Sequence, residues 1–119
     1  MSYVDGFVVP VPKKKRADYV AMARKACRVW KDHGALDYRE CVADDVSWGK
    51  RTSFPRSVKL KKTEEVWFSW IVYRNRKHRD AVMKKVMKDK RLAGMMDLKS
   101  LPFDAKRMIF GGFKVVVSL

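Results

Sequence analysis

Three polar residues stand inside stretches that otherwise read as β-strand: Asp5, Glu40 and Arg107. A carboxylate turned toward a core needs a partner or takes up a proton. Asp5 shares a strand face with Phe7, so it looks at whatever that face covers. Its structural reading is an ion pair with Arg107 on a neighbouring fourth strand. Its functional reading is a pocket carboxylate acting on a small ligand. The two histidines add little. His33 ends the apolar stripe of a helix and reads as a hydrogen-bonded residue near the helix C-terminus; His78 reads as a surface residue in basic surroundings. Neither has a second ligand at metal spacing. The candidates for chemistry are therefore Asp5, Glu40, His33 and Arg107, with no cofactor or metal motif beside them. Ser69, between Phe68 and Trp70, lacks the glycines of a nucleophile elbow and reads as packing.

The elements that must position these residues centre on 66–73, Val-Trp-Phe-Ser-Trp-Ile-Val-Tyr. It carries no charge and is rich in β-branched and aromatic types. Phe68, Trp70 and Val72 point one way; Trp67, Ile71 and Tyr73 point the other, so both faces want cover. Residues 3–9 read as a first strand, which Pro10 and Pro12 end. In 13–33, Tyr19, Met22, Ala23, Ala26, Trp30 and His33 make one helical face, and Gly34 suits the left-handed stop. Residues 36–43 read as an edge strand. A long connection over 44–65 holds a short extended piece at 52–60. Residues 74–90 read as a second helix capped by Asn75, with Val82, Val86, Met83 and Met87 as its stripe. Residues 91–96 add a further turn, 98–104 a loop, and 106–117 a last strand. Gly111-Gly112 marks a bulge or close approach in that strand.

The order β-α-β-β-α-β is the ferredoxin-like arrangement: an α+β fold with a four-stranded antiparallel sheet and two helices on one face. Strands one and three sit at its centre. The whole chain, 1–119, reads as one domain. The face away from the helices exposes aromatics over more area than a monomer leaves bare, so a second copy packed sheet to sheet is expected. Phe7, Phe68, Trp70 and Phe110 are the core and dimer aromatics. No apolar run approaches ~18 residues, so no membrane partner is expected. Cys27 and Cys41 read as free thiols in a reducing cytoplasm.

Several pieces, in order, resemble one family. They are 3–12 (Tyr-Val-Asp-Gly-Phe-Val-Val-Pro-Val-Pro), Glu40-Cys41-Val42, Asp44-Asp45-Val46, Phe68-Ser69-Trp70-Ile71, Arg79-Asp80, Pro102-Phe103-Asp104, 106–109 and Gly111-Gly112-Phe113. Together they are similar to the YbaA-like bacterial family of unknown function, in the dimeric α/β-barrel superfamily. The resemblance implies a ferredoxin-like protomer and a homodimer whose sheets form a barrel. It implies no catalytic residues. Superfamily relatives include cofactor-independent monooxygenases, which is an analogy of fold only. Trp48, Trp67, Met83 and the strong basicity depart from the family pattern. Such departures fit either natural divergence or a deliberately redesigned, strongly basic scaffold.

Net charge is +15, from 28 Lys and Arg against 13 Asp and Glu. Most of it falls on the two helical segments, which lie on one side of the sheet in this fold. The sharp reading is a nonspecific polyanion or nucleic-acid surface through Arg24, Lys25, Arg28, Lys31, Lys77, Lys84, Lys85 and Lys88. The plain reading is a solvated face that keeps the protein soluble. The third strand lacks the Lys/Arg-Gly-aromatic motif of an RNA-recognition module, so that assignment is rejected.

Overall fold

β3 (Glu64–Tyr73) lies between β1 (Tyr3–Pro12) and β2 (Asp37–Val42), and β4 (Ile109–Lys114) flanks β1 on its far side. All three pairings are antiparallel, so the sheet order is β2-β3-β1-β4. The computed structural model describes residues 2–119, the side chains at 96 and 98 apart. α1 (Arg16–Asp32) and α3 (Arg76–Met87) cover one face. This is the expected ferredoxin-like architecture.

Register assigns the faces. Tyr3↔Tyr73, Phe7↔Ser69 and Val9↔Trp67 place Tyr3, Asp5, Phe7 and Val9 with Trp67, Ser69, Ile71 and Tyr73 under the helices. Glu40↔Ser69 and Phe110↔Phe7 bring Tyr38, Glu40 and Phe110 to the same face. The core there is Val29, Ile71, Tyr73, Val82 and Val86 at one end and Val9, Val11, Tyr19, Ala23 and Trp67 at the other. α1 buries Tyr19, Ala23, Ala26 and Val29, so its stripe includes one valine beyond the expected set. Ala35 N donates to Trp30 O and Gly34 N to Lys31 O, both at 3.0 Å, which closes α1 with Gly34 at φ 107°. In α3, Asn75 accepts from His78 N as the cap, Val82 and Val86 are buried, and Met87 is exposed rather than part of the stripe.

The prolines do not end β1. Pairing runs on to Pro12↔Glu64. Lys13 N donates to Thr63 O, so the odd positions bond toward β3 and Pro10 and Pro12 face the other side. β4 has already stopped there, at Val8↔Ile109, so the missing donors cost nothing.

Residues 52–60 are not extended. Ser53 accepts from Arg56 N at 3.1 Å and Pro55 sits in the first turn of a four-residue helix, α2 (Phe54–Ser57). That segment folds under the sheet's second face, where Val58 joins Val8 and Val66 and Phe54 meets Phe68 edge-on. The chain thus covers one end of this face itself. The rest stays open, with Phe68, Ile109 and Phe113 exposed around a groove floored by Val4 and Trp70.

β4 ends at Lys114, short of the expected 117, and starts later than expected because Asp104 holds 106–107 in a turn, accepting from Lys106 N and Arg107 Nε. Its glycine pair makes no bulge, since register is continuous from Ile109 to Lys114. The close approach is real: a Cβ on Gly112 would overlap the Tyr3 hydroxyl.

Candidate functional site: a cavity between sheet and helices

Between the sheet and α1 and α3 lies a cavity of about 530 Å³, within the ordinary size of a small-molecule site. Phe7, Ser69 and Ile71 form part of its floor. Tyr19, Met22, Ala26 and Trp30 line it from α1, and Arg79, Asp80 and Met83 from α3. Met95, Phe103 and Met108 close it from the segment that follows α3. Trp67 leaves it open because its ring packs on Tyr19 (centroids 4.9 Å apart), while Trp70 belongs to the other face of the sheet.

Two carboxyl groups mark the ends, Asp5 buried and Glu40 half-buried. They lie two strands and two residues apart, about 12 Å at Cα by sheet spacing. Glu40 accepts from Tyr19 Oη at 2.8 Å and from Tyr38 Oη at 3.0 Å, one hydroxyl on each carboxyl oxygen. Burial pushes its pKa above the ordinary 4.5, and the two hydroxyls pull it partly back. Burial and the neighbouring Glu40 push both tyrosines upward, so both stay protonated donors. The two tyrosines belong to aromatic pairs: Tyr19 meets Phe103 edge-on, and Tyr38 lies 6.1 Å from Trp30. Among the described residues no lysine, arginine or histidine pairs with Glu40.

Asp5 is built differently. Arg79 Nη1 donates to its Oδ1 at 2.6 Å, and Arg79 Nε donates to Asp80 at 2.8 Å. The guanidinium lies 5.0 Å over the Tyr3 ring, which occupies the space that Gly112 leaves. Burial raises the Asp5 pKa, and Arg79 and then the Tyr73 hydroxyl oppose it. Trp30 Nε1 donates to that hydroxyl at 3.0 Å and so fixes the tyrosine.

Residues 2–105 match the family described as a protein of unknown function, DUF1428. The chain is 49% identical over 117 residues to the uncharacterised protein YbaA of Escherichia coli strain K12, covering 98% of each, and matches the YbaA of Shigella flexneri equally well. The chain belongs to the DUF1428 family. Among solved structures it is similar to a mutant of SnoaB, a cofactor-independent oxygenase from Streptomyces nogalater, with TM-score 0.62 and 13% identity over 99% of this chain and 96% of that one. It is also similar to the de novo designed protein Foldit4, with TM-score 0.50 and 9% identity over 97% and 99%. These two likenesses show the fold alone. Fold alone does not assign an activity.

For this DUF1428 member the cavity unites two of the four expected candidates, Asp5 and Glu40. The expected Asp5–Arg107 ion pair is absent. Arg107 sits in the turn before β4, not on it, and holds Glu64, Asp104 and the carbonyls of Val58 and Lys59. It ties the 52–60 segment to the sheet. His33 lies outside the cavity and pairs with Asp89 at 2.8 Å near the end of α1, as its structural reading anticipates. His78 is half-buried rather than on the surface: its Nδ1 accepts from Arg74 N, and burial lowers its pKa. Phe7 and Phe110 stack 6.2 Å apart on the helix side, while Phe68 and Trp70 face the open groove.

Tyr19, Tyr38 and Arg79 are side chains of the candidate site that the sequence did not single out. Tyr38-x-Glu40 on one strand face, and a tyrosine at the start of an apolar helical stripe, were the available signals. The eight basic residues from Arg24 to Lys88 are all exposed on α1 and α3 and at the end of α3. Among the described residues no three His, Cys, Asp or Glu side chains form a group that could hold a metal. Among the described residues no helix is long and apolar enough to cross a membrane.

Proposed function

We propose that the cavity binds an apolar small molecule and that Glu40 exchanges a proton or hydrogen bond with it. The observation that carries this is a half-buried carboxyl group, held by two tyrosine hydroxyls, on the wall of a 530 Å³ cavity. Burial raises the basicity of Glu40, as a group that takes a proton from a weak acid needs. A cofactor-independent oxygenase is the more specific version, resting on analogy of fold with SnoaB alone. It would require of this chain that Glu40 remove an acidic proton from the substrate. The open sheet face supports a homodimer: its exposed Phe68, Ile109 and Phe113 form one apolar patch that a second copy would cover.

The test is titration calorimetry with 2-naphthylmethanol, alongside Ala26→Phe, which fills the cavity, and Phe113→Lys, which charges the open face. Circular dichroism checks that both variants are folded. Binding is expected in the wild type and in Phe113→Lys and absent in Ala26→Phe. No binding, or binding unchanged by Ala26→Phe, contradicts the cavity reading. Light scattering on the same samples should give a dimer for the wild type and a monomer for Phe113→Lys.

Polyanion binding is the reading for the outside of the molecule, resting on the exposed cations of the helical layer. It predicts duplex binding that weakens steeply between about 50 and 200 mM salt; affinity flat over that range rules it out.

A further inference from the structure

The cavity wall carries three carboxyl groups (Asp5, Glu40 and Asp80) and one guanidinium, that of Arg79. In a chain of net charge +15 this is an acidic enclosure within a basic protein. Arg79 is committed to Asp5 and Asp80. Glu40 receives two hydroxyl donors and no cation. Buried carboxylates ordinarily have a cationic partner or are neutralised. A carboxylate has about four acceptor sites, and the two tyrosines use one on each oxygen, which leaves two. Tyr19 and Tyr38 hold the group, and Phe103 and Trp30 pack on those two rings along the same wall. A carboxylate with spare acceptor sites beside aromatic rings is the chemistry that recognises ammonium groups.

We infer that the Glu40 corner is an ammonium-binding subsite and that the cavity takes a lipophilic amine. The inference rests on the small-molecule reading of the cavity and names its ligand class. The ammonium group donates to Glu40 Oε1 and Oε2 in the positions the tyrosines leave free. The apolar body lies over Phe7, Ser69 and Ile71, between the methionines of α1 and α3. The positive exterior does not forbid this, because exposed charges are screened over about 8 Å at physiological salt.

The experiment compares 2-naphthylmethylamine with 2-naphthylmethanol, two compounds of nearly equal size and apolar area, on the wild type and on Glu40→Gln at pH 8. The amine is expected to bind the wild type about 10-fold or more tightly than the alcohol, since a charge-assisted bond replaces a neutral one. In Glu40→Gln the ratio should fall toward one while alcohol binding persists. Equal or tighter binding of the alcohol to the wild type overturns the inference, as does a ratio that survives in Glu40→Gln; the cavity reading stands in both cases. If neither compound binds, the cavity reading fails and the inference fails with it. Should Glu40→Gln not fold, carboxyl ¹³C titration of the wild type replaces it. Saturating amine should then lower the pH at which Glu40 ionises, and an unmoved midpoint overturns the assignment.

Discussion

Asp5, buried, and Glu40, half-buried, sit on the same sheet face of the cavity, and desolvation pushes both toward the neutral form. The chain answers that pressure in opposite ways. At Asp5 it supplies a full counter-charge: Arg79, stacked on Tyr3 and steadied by Asp80. At Glu40 it supplies two neutral hydroxyls and no cation. With 28 lysines and arginines available, this difference is one of placement rather than supply. An internally neutralised carboxylate belongs to the architecture, whereas one left uncompensated beside open space is free to act on something that enters.

Single substitutions separate the two ends. The largest effect should come from Arg79→Met, which strands Asp5 in the core. A loss of about 3 kcal/mol is expected in urea unfolding, with Asp5→Asn in the same background restoring part of it. A loss below about 1 kcal/mol would make the Asp5 end no more structural than the Glu40 end. Gly112→Ala should cost about 2 kcal/mol, because its Cβ displaces the Tyr3 ring that supports Arg79. Gly6→Ala, whose nearest contact is 3.9 Å away, is the control and should cost less. Glu40→Gln should change stability by about 1 kcal/mol or less, since the side-chain oxygen still accepts from a tyrosine and no ion pair is lost.

The pH dependence carries the same contrast in its sign. Glu40 has a folded-state pKa above its ordinary 4.5. Between about pH 4.5 and the raised value, the folded chain keeps a proton that the unfolded chain has lost. Stability therefore falls as pH rises through that window, and Glu40→Gln should remove this part of the slope. Glu64 has the opposite sign, because Arg107 lowers its pKa. Its contribution is present above pH 4.5 and lost as pH falls through the lowered value. Glu64→Gln should thus destabilise the protein at neutral pH and have little effect in strong acid.

The layout of the sheet was legible in the sequence because an uncharged, two-faced strand at 66–73 can only be central and the two helical stripes need one common face. The Glu40 environment was half legible. Its strand was identified, but Tyr38 contributes only through alternation on β2 and Tyr19 only through the packing of α1 across 21 residues of chain. Arg79 was hidden by its neighbours: in a run of cations on α3, nothing local separates the one turned inward. Arg107 was misplaced because 106–108 looks like strand. Asp104 decides otherwise by accepting from Lys106 and Arg107. Pro10 and Pro12 misled for a related reason, since whether a proline ends a strand depends on which edge its nitrogen faces.

Glu40 is a half-buried carboxyl group with no cationic partner among the described residues, beside an accessible cavity. Carboxyl ¹³C titration of the ligand-free protein, with Glu40→Gln for assignment, tests it most directly. A Glu40 midpoint above 4.5 is expected. A midpoint at or below 4.5 would mean that a cation or solvent already stabilises the charge, and the contrast between the two ends of the cavity would be gone.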